Sequence, residues 1–333
     1  MAEIKFSKRR LAQIIQPMQR QRVLVIGDLM LDEFVWGRVS RISPEAPVPV
    51  VHVEKQTFFP GGAANVARNL ADLGVSVGVC GLRGADADGE RLARLLRSAR
   101  MDTAGLFASK KFPTIVKTRI IARTQQVVRV DREEKFTHTA DDLKSIRAFL
   151  RRALPKYDAV IVEDYAKGFL TQEIFDELTA SRNKKLIVSV DPNPNNPLDF
   201  SGATVVKPNK TEAYAACATP GVDNSARPLD DIGADLLQRW SLPFLLVTLS
   251  EHGMMLYQPG TKPYHTPTKA KEVFDVSGAG DTVIAFFTAA LAAGLRGDEA
   301  AEIANHAAGV VVSKLGTATV SADELAASIL ERK

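Results

Sequence analysis

Cysteine is nearly missing from this chain: Cys80 and Cys217 are the only two among 333 residues. Both sit among small or apolar neighbours. Buried free thiols in a reducing compartment are therefore expected, with the cytoplasm as the default location. Histidine is also sparse, at 52, 138, 252, 265 and 306, and no pair has the spacing of a structural zinc site. No apolar run approaches the roughly 18 residues of a membrane-spanning helix. The N-terminus is basic but lacks the apolar core of a signal peptide. Neither sign of charge dominates, since 43 Lys and Arg against 39 Asp and Glu leave +4. That balance admits anionic small molecules and gives no footprint for nucleic acid. The basic stretches Lys8-Arg9-Arg10 and Arg151-Arg152 are most simply solvated helix faces. The phosphate loop G-x-x-x-x-G-K-[ST] and the H-R-D set of protein kinases are absent. So are internal repeats and low-complexity segments.

What is present is a rhythm. The length of 333 residues allows one large or two ordinary domains, and 45% hydrophobic with 25% charged residues is ordinary for a globular protein. Short apolar runs at 22–27, 75–81, 159–163, 186–191, 204–207 and 244–248 read as buried strands. Helical patterns separate most of them: Asp88–Ala99, Asp141–Ala153, Thr171–Ser181, Thr211–Ala216 and Leu229–Trp240. This alternation predicts an α/β fold with a mostly parallel sheet covered on both faces. Several strands end on polar residues (Asp28, Glu163-Asp164, Asp191, Lys207, Thr248). Such strand ends are where these sheets bind ligands. Two stretches break the rhythm, at about 33–54 and 114–131. Both are alternating and β-branched, and both read as antiparallel strands of a small second sheet. Phe34, Val35, Trp36 and Val50 give it an apolar face that it cannot bury alone, which predicts a homodimer.

Two glycine motifs carry the chemistry. In Asp275-Val-Ser-Gly-Ala-Gly-Asp281, Gly278, Ala279 and Gly280 precede an Ala-rich apolar stretch that reads as a buried helix. Free N–H groups at such a helix start bind phosphate. Asp281 stands where a general base would hold a substrate hydroxyl against it. The plainer reading is a glycine turn with Asp281 capping the helix. The second motif, Phe59-Pro-Gly-Gly-Ala-Ala-Asn65, opens another Ala-rich helix. Together and in their order the pair resembles the paired signatures of the ribokinase-like sugar kinases, the phosphofructokinase B family.

The resemblance covers nearly the whole chain. It implies a ribokinase-like three-layer α/β/α sandwich, with residues 1–333 as a single kinase domain and the small sheet as a lid. It implies a sugar site of Asp28, Asp32, Gly61, Gly62 and Asn65. Asn209-Lys-Thr-Glu212 resembles the family's magnesium-organising element, with Glu212 acting through water. The same four residues also read as a helix capping box, and both can hold at once. Thr248 to Gly253 resembles the nucleotide loop, and Asn305 the element flanking adenine. ATP and Mg²⁺ are thus implied. A monovalent cation such as K⁺ would sit near Asp275 and Gly316.

Finer features resemble the heptose 7-phosphate kinases of lipopolysaccharide-core synthesis. They are Gly27–Asp32, Ser40–Pro49, Glu163–Gly168 and Arg123–Arg132. They imply D-glycero-D-manno-heptose 7-phosphate as acceptor and its 1,7-bisphosphate as product. The chain ends soon after the kinase domain, so kinase activity alone is expected. A phosphorylated acceptor needs basic residues, and Arg119, Arg123 and Lys167 are the candidates. A kinase of another sugar, or a sugar sensor on the same fold, are the alternatives.

Overall fold

A strand that is apolar on both faces needs cover on both sides, and the apolar runs obtain it as inner strands of one sheet. The structure is a computed structural model that describes residues 4, 6–123, 125–180, 186–218 and 226–330. The chain opens with α1 (Lys8–Gln19), β1 (Arg22–Gly27), β2 (Leu29–Ile42), β3 (Pro49–Gly62) and α2 (Ala63–Leu73). Next come β4 (Ser76–Gly84), α3 (Ala87–Ser98), β5 (Asp102–Ser109), β6 (Ile115–Ala122) and β7 (Gln125–Arg132). They are followed by α4 (Ala140–Ala153), β8 (Ala159–Glu163), α5 (Gln172–Ala180), β9 (Ile187–Asp191), β10 (Val205–Val206) and α6 (Lys210–Ala216). The remainder is α7 (Leu229–Arg239), β11 (Phe244–Thr248), β12 (Met254–Tyr257), β13 (Tyr264–Thr266), α8 (Ala279–Ala292), α9 (Gly297–Val311) and α10 (Ala322–Leu330). The expected helix over Thr171–Ser181 is α5; Ser181 lies outside the described residues.

The main sheet has the order β13-β12-β11-β10-β9-β8-β1-β4-β5. It is parallel throughout except at β12 and β13. Side-chain alternation along β1 sorts the two cores. Val23 and Val25 join the cluster under α1, α2, α8 and α9. Leu24 and Ile26 join the cluster under α4, α5 and α7. The sandwich therefore follows from a period of two in the strands. Helix α2 stops at Gly74, whose φ of 99° is the left-handed conformation that ends helices. No helix among the described residues is long and apolar enough to cross a membrane.

The second sheet has the order β3-β2-β6-β7. Its two outer pairs are antiparallel, as expected, but β2 runs parallel to β6. Its strands also exceed the expected bounds, because β2 pairs with β3 from Leu29–Gly62 to Ile42–Pro49. That pairing places Gly61 and Gly62 at the end of a lid strand. Phe34 and Val35 are buried within the chain at 4% and 7% exposure, which corrects their assignment to an outer apolar face. Val53, Val127, Val128 and Val130 carry the exposed apolar surface instead.

Candidate active site

Helix α8 begins where the sequence places it. Gly278 is its N-cap with φ 78°, and a Cβ there would lie 2.8 Å from the Asn65 side-chain nitrogen. The Ala279 N–H turns back onto the Val276 carbonyl at 3.2 Å. It is therefore not free, as the sequence suggested, and helix geometry leaves the N–H groups of Gly280 and Asp281 for an anion. Asp281 makes no capping bond. Its carboxylate accepts from Asn65 Nδ2 at 2.6 Å and from the Tyr165 hydroxyl at 3.2 Å. The hydroxyl of the next residue, Thr282, donates to Oδ1 of Asn69, one turn beyond Asn65, at 3.0 Å. The two glycine motifs are thus fastened face to face by α2 and α8. Burial raises the Asp281 pKa to about 6, opposed by Asn65, Lys207 and Tyr165 and reinforced by Asp191. Such a value suits a base at neutral pH.

Parallel strand ends complete the site. Oxygens of Glu163, Asp191 and Asp281 lie within 4.8 Å of one another. Glu163 is lifted well above the carboxylate range by burial and then by the two neighbouring charges. Its Oε2 is buried with no hydrogen-bond partner. Lys207, from the segment after β10, pairs with Asp191 at 2.7 Å. Burial works against its charge, but Asp191 and Glu163 outweigh that and raise its pKa. A Cβ on Gly280 would sit 3.3 Å from Lys207 Nζ, so the ammonium lies beside the open helix terminus. Sequence reasoning saw these strand ends as polar but gave no role to Lys207, Glu163, Asp191 or Tyr165.

A cavity of about 600 Å³ opens from this cluster. Ala279 and Gly280 line it, as do the predicted nucleotide-site residues Asn209, Glu212, Thr248, Gly253 and Asn305. The capping box is present: Glu212 Oε2 accepts from the Asn209 N–H at 2.8 Å, and Asn209 Oδ1 from the Glu212 N–H at 2.9 Å. Asn305 donates to Thr266 Oγ1 and the Pro267 carbonyl. It thus pins the wall beyond β13. Gly253 has φ 86°, and any side chain there would strike the Thr266 carbonyl.

The predicted sugar residues divide. Asp28 is buried and accepts backbone N–H bonds from Tyr165, Lys167 and Phe169 at 2.9–3.2 Å. Here it clamps the 165–169 loop rather than facing open space. Asp32 pairs with Arg119 at 2.5 Å. It packs on Gly61, where a Cβ would meet its carboxylate at 2.4 Å. Lys167 pairs with Glu133, which also holds Lys117. Arg123 is exposed at the β6–β7 turn with φ 57°. It lies six residues, about 20 Å along the strand, from Lys117, the register partner of Asp32. The structure therefore does not bring Arg123 to the site.

Known proteins are similar to this chain in sequence and in fold. The family model described as pfkB family carbohydrate kinase matches residues 20–324. The bifunctional protein HldE of Vibrio vulnificus (strain YJ016) is 46% identical over 307 residues, covering 92% of this chain and 63% of that protein. Its namesake in Haemophilus influenzae (strain PittEE) is 44% identical, covering 97% of this chain and 66% of that one. This chain thus spans less than two thirds of these relatives. Among solved structures, Arabidopsis thaliana ribokinase complexed with ribose and ATP superposes with a TM-score of 0.70 at 18% identity, covering 93% and 99% of the two chains. Escherichia coli phosphofructokinase-2 in complex with potassium does so at 0.74 and 17%, covering 93% and 98%. At these identities the structures establish the ribokinase-like fold alone. The family match runs through every element that builds the site, from the strand before Asp28 to the helix carrying Asn305, and the chain therefore belongs to the pfkB family of carbohydrate kinases.

Proposed function

We propose that this chain transfers the γ-phosphoryl group of ATP to the C-1 hydroxyl of D-glycero-D-manno-heptose 7-phosphate. The product is D-glycero-beta-D-manno-heptose 1,7-bisphosphate, which serves ADP-heptose and lipopolysaccharide-core synthesis. The observation that carries phosphoryl transfer is the placement of Asp281, a buried base with a pKa of about 6, beside an open helix terminus and the Lys207 ammonium. Asp281 takes the hydroxyl proton. The N–H groups of Gly280 and Asp281, with Lys207, stabilise the moving charge. The choice of sugar is supported by the four segments that resemble heptose 7-phosphate kinases and by 43–46% identity to proteins named HldE. Residues 1–333 act as one kinase domain, with β2, β3, β6 and β7 as its lid.

The cavity lined by Asn209, Glu212 and Asn305 takes the nucleotide. The clustered carboxylates and the unpartnered Glu163 Oε2 form an oxygen donor set that suits magnesium. Glu212 and Asp191 would hold it through water, and it would there supply positive charge to offset that of the phosphates. Asp275 accepts from the Gly316 N–H at 3.1 Å, which ties together the two segments expected to hold a monovalent cation. The exposed valines of the lid support a homodimer. A coupled ADP-release assay over a panel of sugars tests the reading. Turnover with heptose 7-phosphate well above that with fructose 6-phosphate or free pentoses is the expected result. A clear preference for either of the others overturns it.

A further inference from the structure

Arg119 and Lys167 are paired with carboxylates and Arg123 is remote from Asp32, whereas further cations line another cavity beside the lid. This second cavity, of about 650 Å³, lies between the lid and the 314–319 segment. It opens on the lid face that carries Asp32, because Phe34 and Trp36 follow Asp32 at intervals of two and line it. Phe59, the register partner of Asp32, lines it too. Arg68 stands one helical turn beyond Asn65 and reaches the same space. Its guanidinium lies over the Phe59 ring at 5.2 Å and donates one N–H to the Thr317 carbonyl at 2.8 Å. Asp72 approaches only to 3.8 Å. Burial lowers the Arg68 pKa, with Asp72 countering in part. Lys55, the register partner of Trp36 on β3, also lines the cavity, and no ion pair involves it among the described residues.

We infer that Arg68 and Lys55 form the subsite for the phosphate monoester of the acceptor, and so set the preference for a phosphorylated sugar. The two cavities share no lining residue. The Asn65–Asp281 pair joins the helix that carries Arg68 to the helix whose start lines the nucleotide cavity. In this reading the acceptor presents one end to Asp281 and its phosphate to Arg68. The fork of N–H donors left on Arg68 matches a phosphate, and a partly buried cation is screened less than a surface one.

This inference rests on the proposed phosphorylated acceptor, and the test separates the two. kcat/KM is measured for heptose 7-phosphate and for free heptose with wild type, Arg68→Gln, Arg68→Lys and Lys55→Gln. Wild type should prefer the phosphorylated sugar. Arg68→Gln should raise its KM by roughly ten- to a hundredfold, the loss of one charge-assisted hydrogen bond, with the KM for ATP unchanged. Arg68→Lys should fall between the two. Lys55→Gln, at an exposed position, should raise the same KM by several-fold whether or not the Arg68 variants fold. Inorganic phosphate should compete with the acceptor less well in Lys55→Gln than in wild type. A wild-type enzyme indifferent to the phosphate overturns the acceptor reading. A wild-type preference that survives intact in Lys55→Gln and in every folded Arg68 variant overturns this inference alone.

Discussion

Replacing Asp281 with Asn removes a charge while keeping a shape. The new amide can still accept from Asn65 Nδ2 through its oxygen, and its NH₂ can face the Tyr165 hydroxyl, so the α2–α8 contact should persist. What disappears is the base. kcat should fall by at least about a hundredfold, the usual scale of general-base loss, with little change in the KM of either substrate. The same substitution should stabilise the ligand-free protein. Burial lifts Asp281 from 3.8 to about 6, so the folded chain binds this proton more tightly than the unfolded chain. Its contribution is fully present below about pH 4 and is lost as pH rises through about 6. Above that, the ionised carboxylate costs the empty fold on the order of 3 kcal/mol. The variant carries no such group. At pH 8 it should melt several degrees above wild type, and near pH 4 the two should coincide. Coupled ADP release and thermal melts at both pH values are the measurements. Near-normal turnover would refute the base assignment, and a lower melting temperature at pH 8 would refute the argument from buried charge.

Three further outcomes follow from the same geometry. The Tyr165 hydroxyl holds the Asp281 pKa down, so Tyr165→Phe should move the acid limb of the kcat/KM profile to higher pH, and an unmoved limb would remove Tyr165 from the site. Glu212→Gln can keep its bond to the Asn209 N–H and hence the helix, but should raise the Mg²⁺ concentration needed for half-maximal rate by about tenfold. An unchanged requirement would leave Glu212 as a cap alone. Light scattering should give twice the 36.2 kDa chain mass for wild type and move toward the single mass for Val128→Asp combined with Val130→Asp, whereas a monomeric wild type at working concentration would contradict a lid dimer.

Much of this was legible in the sequence because it is set locally. Strand alternation separates Val23 and Val25 from Leu24 and Ile26, and so fixes a sheet with two covered faces. Glycines before Ala-rich stretches announce the starts of α2 and α8. The Asn209–Glu212 box spans four residues and forms wherever that helix starts. The site itself joins residues far apart in the chain. Asn65 and Asp281 are 216 positions apart and meet only because α2 and α8 pack side by side.

Strand order also decided the charges. β9 and β10 are neighbours, so Lys207 falls beside Asp191 and the start of α8, and a polar strand end becomes a cation at the open helix terminus. The basic candidates Arg119, Arg123 and Lys167 looked equivalent in sequence. Tertiary structure gave the first to Asp32, left the second at a turn, and paired the third with Glu133. Periodicity and capping act over a few residues and can be read from the chain. The partner of a charge is whichever group packing brings within a few ångströms, and only the folded arrangement supplies it.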